Sequence, residues 1–532
     1  MKKWESSFLK WFLTLLFVSF LINIGVLVLI HEEPRRGIIT FEMLKNHNFL
    51  QPTVLGIPYF KKPPLHEWIT SIFSVISGQV CEFSLRVPSS IAVVLTSITI
   101  FLGTRKLLNE KIALFGALIY PTFYMVLIGY GSKCEPDTLF SLFVTLATFS
   151  WLYLIEREKK LLAWISGYFF TSLALLTKGL PALQFFYFFV FSYLFLKKEL
   201  RKFISISHLT GLFVGLLPFI GWLLAVKTDQ AVKTLFSEVL ARAPGKVSSF
   251  VALKNYLTYP LRLVGATFPW SIVAVYYWLK NRNWELPQNR VLKTFLLAFV
   301  LDGLLYWVFP GSRLRYLMPA LPLLAVLLGY YLANYTFVHK RAKEIIRFTA
   351  ELTVPVAIVT GILVSKNPSL VLKSTLEFIL VLYVVYFFFL PKFRVEITYA
   401  VVLFSVLMLL FRAFYSSYYY PIAQLKYPPV RQVAARIAAD SKGYPLFTKT
   451  TYLQLCFYVE KERDAVLRFT PSPPPNALFL TQKPEGYTLR EYKLGKRKFY
   501  LCSYGITSLK AKGAPEDQKK HSSSESGHSK ER

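Results

Sequence analysis

Cysteine is scarce in this chain, with four in 532 residues, too few for a disulfide framework to hold it together. No Gly-x-Gly-x-x-Gly follows a strand-like run and no P-loop occurs, so nothing supports a soluble enzyme that uses a sugar nucleotide. The seven histidines are scattered, His521 and His528 lie in a polar tail, and neither a zinc-finger spacing nor a Ser-His-Asp arrangement stands out. Acidic residues number only 30 against 62 Lys and Arg. Charged residues of both signs make up 17% of the chain, whereas 54% is hydrophobic and 17% aromatic. One or two water-soluble domains cannot hide that much apolar side chain, so the composition requires lipid as solvent.

The apolar residues fall in runs. Residues 11–30 carry no charge, and about twenty residues of helix cross the hydrocarbon of a bilayer. Lys2, Lys3 and Lys10 precede the run as in a signal peptide, but it is longer than an h-region and no small-residue cleavage site follows, which predicts a retained anchor. Similar runs recur near residues 87–104, 112–130, 138–155, 161–177, 179–196, 206–226, 263–279, 294–309, 314–336, 350–365, 371–390 and 395–413. The expectation is an all-α polytopic membrane protein with about 13 transmembrane helices.

The net charge of +32 is spread through alternate short loops rather than gathered in one patch of the kind that binds nucleic acid. Arg105, Lys106 and Lys111 lie in one such loop, Arg157, Lys159 and Lys160 in the next, and Lys197, Lys198, Arg201 and Lys202 in a third. By the positive-inside rule these loops and the N-terminus face the cytoplasm. The longer loops 31–86 and 227–262, and the chain after residue 414, then lie outside. All four cysteines map to that side, where Cys456 and Cys502 could pair or remain buried thiols.

Three outer segments read as amphipathic helices at the membrane interface. Ile38, Ile39, Phe41, Met43 and Leu44 alternate with Arg36, Glu42 and Lys45; Pro63 and Pro64 open a second helix through Phe73; Val232, Leu235, Phe236 and Val239 mark a third. The domain reading is therefore a transmembrane domain over 1–413, a small α/β extracytoplasmic domain over 414–508, and a disordered tail over 509–532. Within the second domain, helix-like residues 430–438 precede strand-like runs at 447–450, 453–459, 477–481 and 499–503.

Ionisable residues converge on the outer face. His31-Glu32-Glu33-Pro34-Arg35-Arg36 follows the first span, and Lys61, Lys62, Lys133, Glu135, Asp137, Lys178, Glu238, Arg242, Arg313 and Arg315 come from other outer loops. Such residues are costly at a membrane edge unless they pair or line a cavity. A rim of snorkelling side chains or a structural layer of ion pairs would account for them. So would a polar site in which a carboxylate acts as base and fixed cations hold an anion.

The order of the motifs is distinctive. Glu32-Glu33-x-Arg35, then Tyr59-Phe60-x-Lys62-Pro63-Pro64, then Leu85-Arg86-x-Pro88-Ser89, together with residues 131–137, Leu176-Thr177-Lys178-Gly179 and Arg315-Tyr316-x-x-Pro319, resembles the bacterial aminoarabinose transferases and their relatives among the protein O-mannosyltransferases. These are lipid-carrier glycosyltransferases of the type C fold. The motifs span residues 8–335, and the predicted helices and outer domain extend the likeness to about residue 500.

The resemblance implies an undecaprenyl-phosphate-linked sugar as donor and an acceptor at the outer leaflet or in the periplasm: lipid A in the first case, a secreted protein in the second. It implies an inner-membrane location. Glu32 would be the principal catalytic carboxylate, where relatives usually have Asp, and Asp137 a second acid. Arg35, Tyr59, Lys62, Lys178, Arg242 and Arg315 would surround the carrier phosphate, supported by Glu33, Lys61, Arg86, Glu135, Glu238 and Tyr316. Relatives often carry Glu before the Lys-Pro-Pro and His in the later outer loop, residues associated there with metal binding. Lys61 and Val239 stand at those places here, so no metal or other cofactor is expected. A multispan transporter would share the helices and the charge, but it more often shows inverted repeats with breaks near the midplane.

Overall fold

The computed structural model describes residues 3–226, 229–240, 248–280, 286–309, 311–334, 397–426 and 429–508. It divides at Pro428/Pro429 into two compact units. The runs at 350–365 and 371–390, Arg242, the side chain of Val239 and the tail from residue 509 lie outside the described residues.

In the first unit, six described helices are long and apolar enough to cross a membrane: Glu82–Leu107, Asp137–Ile155, Lys160–Lys178, Arg290–Val308, Leu314–Asn334 and Val401–Gln424. A seventh span forms if the pair Ile206–Gly215 and Leu217–Val226, bent by 45°, is counted as one. The chain is a multi-pass membrane protein. Lipid tails are as apolar as leucine, so these helices associate through close packing rather than exclusion of water. The Glu110–Ile119 and Leu321–Asn334 helices show the consequence, since a Cβ on Gly329 would lie 3.0 Å from the Gly116 backbone nitrogen. Rings fill the wider gaps, as where Trp151 meets Trp164 and Tyr193 edge-on, each at 5.4 Å between centroids.

Several runs end earlier than their composition implies. The first helix, Lys3–Leu21, gives way to turns before residue 30, because the carbonyls of Ile24, Leu27 and Val28 turn aside to Arg86. The 112–130 run breaks at Pro121 into the Glu110–Ile119 helix, a short 3₁₀ turn and a π-helical stretch. Pro121 has no N–H for a continuing helix.

The Glu33–Asn46 helix is not interfacial, because its residues from Glu33 to Met43 are almost all buried. Helix Leu65–Ile76 does have two faces. His66, Glu67, Thr70, Ser71 and Ser74 are buried, while Ile72, Val75 and Ile76 are exposed, so its apolar side is turned away from the protein as lipid contact demands. Between the two helices, β1 (Thr53–Val54) and β2 (Ile57–Pro58) form a short antiparallel hairpin. Buried Glu42 fastens it by accepting from the Gly56 N–H at 3.1 Å.

Helix Ile397–Lys426 runs past residue 413, so the expected boundary between 413 and 414 falls inside a helix and the division comes later. The second unit is a small α/β fold. Strands β3 (Leu446–Thr448), β4 (Arg468–Phe469), β5 (Leu478–Thr481), β6 (Tyr487–Leu494) and β7 (Arg497–Ser503) form one sheet in the order β4-β3-β5-β7-β6. Helices Val430–Asp440 and Leu453–Arg463 accompany them. The segment 453–459 is helix rather than strand. It is a short, mostly buried apolar run, which periodicity alone cannot assign. All four cysteines are free, so Cys456 and Cys502 are buried thiols rather than a disulfide.

Candidate active site

Two segments of the first unit bring acids together. The first begins where His31 takes a left-handed backbone (φ 57°), turning the chain into the Glu33–Asn46 helix. Glu33 goes inward. Its Oε1 and Oε2 accept from Arg86 Nε at 2.8 Å and Nη2 at 2.7 Å, and they also accept from the backbone N–H of Cys134 at 2.9 Å and of Ile30 at 3.0 Å. Burial opposes ionisation of Glu33, but the charge and hydrogen bonds of Arg86 outweigh it and hold the carboxyl below its ordinary value. With every lone pair engaged, Glu33 is a structural anchor. Its bond to Cys134 ties the first acid segment to the second.

Glu32 has a different fate. It precedes the helix, is 37% exposed and forms an ion pair with Arg35. Among adjacent carboxylates, it is the one open to a substrate. The Arg35 and Arg36 guanidiniums lie 6.0 and 5.3 Å from the centre of the Tyr59 ring. Buried Arg36 donates to the Tyr59 hydroxyl at 2.8 Å and to Glu67 Oε1 at 2.7 Å. Burial would raise the Glu67 carboxyl, yet Arg36 and His66 hold it below its usual range. Arg36 and Glu67 thus fix Tyr59, and neither is among the site residues expected from sequence. The available signal was the inward polar face of the Leu65–Ile76 helix.

The second acid segment spans residues 131–137. Asp137 is the first residue of the Asp137–Ile155 helix, buried, with Lys178 Nζ at 2.6 Å. Lys178 closes the Lys160–Lys178 helix because Gly179 follows at φ +86°, a conformation that L side chains rarely adopt. Its ammonium sits 5.2 Å from the Phe140 ring centre and 4.9 Å from that of Tyr316, close enough for cation–π attraction. The charges of Arg315 and Lys62 also act on Asp137. Glu135 is ion-paired with Arg315. Burial and the neighbouring Asp137 charge push the Glu135 carboxyl up to about 7, although Arg315 draws it back.

Asp137, Lys178, Arg315, Tyr316, Glu135 and Lys62 therefore come together, and the Glu33 to Cys134 bond joins them to the segment of Glu32, Arg35 and Tyr59. Lys61 and Glu238 form a separate pair at 3.6 Å. An ammonium cannot coordinate a cation while protonated, so Lys61 itself is no metal ligand. Among the described residues no three His, Cys, Asp or Glu side chains converge to hold a metal ion.

This geometry can hold a phosphate. Cations fixed by buried partners stabilise an anion without reorganising, and the low dielectric of the layer strengthens them. Carboxylates neutralise Arg35, Lys178 and Arg315 at the same time, so an incoming phosphate shares rather than monopolises their charge.

The profile of the dolichyl-phosphate-mannose-protein mannosyltransferase family matches residues 61–224. The chain is 26% identical over 308 residues to an undecaprenyl phosphate-alpha-4-amino-4-deoxy-L-arabinose arabinosyl transferase of Proteus mirabilis, covering 56% of this chain and 54% of the relative. It is 28% identical over 322 residues to the corresponding protein of Aeromonas hydrophila, covering 59% and 57%. The chain spans about half the length of these curated relatives. In three dimensions it is similar to ArnT from Cupriavidus metallidurans, solved bound to undecaprenyl phosphate, with a TM-score of 0.72 at 16% identity over 94% of this chain and 97% of that one. The chain shares the fold of that ArnT and is similar in sequence to the aminoarabinose transferases and the O-mannosyltransferase family.

Proposed function

We propose that this protein is an inverting glycosyltransferase that moves a sugar, an aminosugar of the aminoarabinose kind, from undecaprenyl phosphate to lipid A or another outer-leaflet acceptor. The observation that carries the reading is the joined layer of Glu32, Arg35, Tyr59, Lys62, Asp137, Lys178 and Arg315, in a fold that binds undecaprenyl phosphate in the Cupriavidus protein.

In the reaction the bond between the anomeric carbon and the carrier phosphate oxygen breaks as an acceptor oxygen attacks that carbon from the opposite face. The electron pair passes to the phosphate, which leaves as a monoester. Lys62, Lys178, Arg35 and Arg315 stabilise the charge it gains, and Tyr59, fixed by Arg36, offers its hydroxyl. Glu32 orients the acceptor. A lipid A phosphate is already anionic and needs only placement, whereas a Ser or Thr hydroxyl would give its proton to Glu32.

The family match over residues 61–224 favours a second reading, a protein O-mannosyltransferase. Purified protein incubated with radiolabelled polyprenyl-phosphate sugars separates the two. Label in lipid A from the aminoarabinose donor supports the first, label in peptide from the mannose donor supports the second, and no transfer to either removes both.

The transferase reading puts the site outside the cytoplasm, with the basic loops inside. Single cysteines introduced in 157–160 and 197–202 should resist an impermeant reagent in intact cells, and one in the second unit should react. Labelling of all three would overturn the charge-based orientation. Because Lys61 and Val239 stand where relatives carry donor side chains, turnover should survive exhaustive chelation, and Lys61→Glu should weaken carrier binding. Loss of turnover in EDTA that one divalent ion restores would refute this.

A further inference from the structure

Hydrogen bonds reach both acid segments from a helix that carries none of the motifs. In the Ile397–Lys426 helix, Arg412 Nη2 donates to Ser132 Oγ. The Tyr420 hydroxyl lies 3.2 Å from that same Oγ and 3.2 Å from Arg412 Nη2. One turn further, Gln424 Oε1 accepts from the Val28 N–H at 2.9 Å. Ser132 belongs to the segment that bears Glu135 and Asp137, and Val28 to the one that leads into Glu32. Arg412, Ser416, Tyr420 and Gln424 recur every four residues, so they form one polar stripe along an otherwise apolar span.

Arg412 stands apart within that span. It is 0% exposed, and its Nε and Nη1 have no hydrogen-bond partner among the described residues. Arg36, Arg86 and Lys178 each face a carboxylate; among the described residues Arg412 faces instead the rings of Phe20 at 4.9 Å and Tyr420 at 5.7 Å. A guanidinium buried in such surroundings is costly, and apolar packing alone would be better served by an apolar side chain. The segment it holds has little slack, because a Cβ on Gly131 would come within 2.2 Å of that same Phe20 ring.

We infer that Arg412, backed by Tyr420, is a positioning residue that fixes the 131–137 segment through Ser132 and so sets where Asp137 and Glu135 stand relative to Glu32. The inference rests on the transferase reading for its catalytic consequence, but not for its structural one. Misplacing a reacting group by about 1 Å can cost about 100-fold in rate, while the carrier's other contacts remain.

The test uses the full chain in liposomes, with Cys81→Ser, and follows the rate of maleimide labelling at buried Cys134, which lies between Ser132 and Glu135 in sequence, by mass spectrometry of its own peptide, apart from Cys456 and Cys502. Arg412→Gln should lower kcat about 10- to 100-fold and leave KM for undecaprenyl-phosphate aminoarabinose within about threefold. Ser132→Ala, a mild change that preserves folding, should act in the same direction, and the double variant should be no worse than Arg412→Gln. Arg412→Lys, which keeps a cationic donor, should recover part of kcat. Cys134 should label about tenfold faster in both single variants. Multiplying effects, a KM that rises as far as kcat falls, or a Cys134 that stays as protected as in the parent would each overturn the inference. A parent protein that transfers no aminosugar would sink the function proposed above, and the labelling rates would still decide whether Arg412 fixes the segment.

Discussion

Glu32→Gln should remove most sugar transfer, about 10²- to 10⁴-fold, and leave the protein folded, whereas Glu33→Gln should chiefly lower its stability. The two residues are neighbours in sequence and opposites in environment. Glu32 is 37% exposed beside Arg35, so a neutral amide changes its chemistry without stranding a buried group. Glu33 is buried and answers Arg86, Ile30 and Cys134 together. Its amide would leave the Arg86 charge uncompensated, and breaking one side of a buried ion pair costs about 3–5 kcal/mol. Transfer assays and thermal unfolding of both variants in detergent check this. A stable, inactive Glu33→Gln beside an active Glu32→Gln would exchange the roles.

That division between the two glutamates was not legible in the sequence. Both are acids at the same membrane edge, and the inward one is selected by the left-handed turn at His31 and by an arginine 53 residues away. The membrane class was legible because a run of about twenty apolar residues matches the thickness of a bilayer and exceeds what a soluble core asks of one helix. The motifs that place Asp137 beside Lys178 could be ordered along the chain, but their pairing depends on a glycine ending one helix where another begins. Arg36 directly follows the first motif, yet its role stays hidden until Glu67 is found on a helix whose polar face is the buried one.

The stripe from Arg412 to Gln424 was not legible. The change of composition near residue 414 read as the start of a second domain, and only the helix running on to Lys426 shows that Ser416, Tyr420 and Gln424 continue one face from Arg412. Short buried segments were the least legible part. Residues 453–459 suit a strand by content and a helix by packing, and the structure makes them helix.

Whether these charges are a structural ion-pair layer or a phosphate site can be decided at Lys178. Lys178→Met leaves Asp137 buried without its 2.6 Å partner, and the expected loss of stability is about 3–5 kcal/mol. Transfer should also fall sharply, because a neutral side chain cannot stabilise the charge that the departing phosphate gains. Adding Asp137→Asn removes the stranded carboxylate. The double variant should therefore regain most of its thermal stability and none of its transfer, since the cation is still missing and the second acid has gone. Unfolding in detergent and single-turnover transfer, measured on the same preparations, separate the two effects. Recovery of both stability and turnover in the double variant would show that Lys178 and Asp137 serve only to hold two helices together, and the phosphate would then have to be met by Lys62, Arg35 and Arg315 alone.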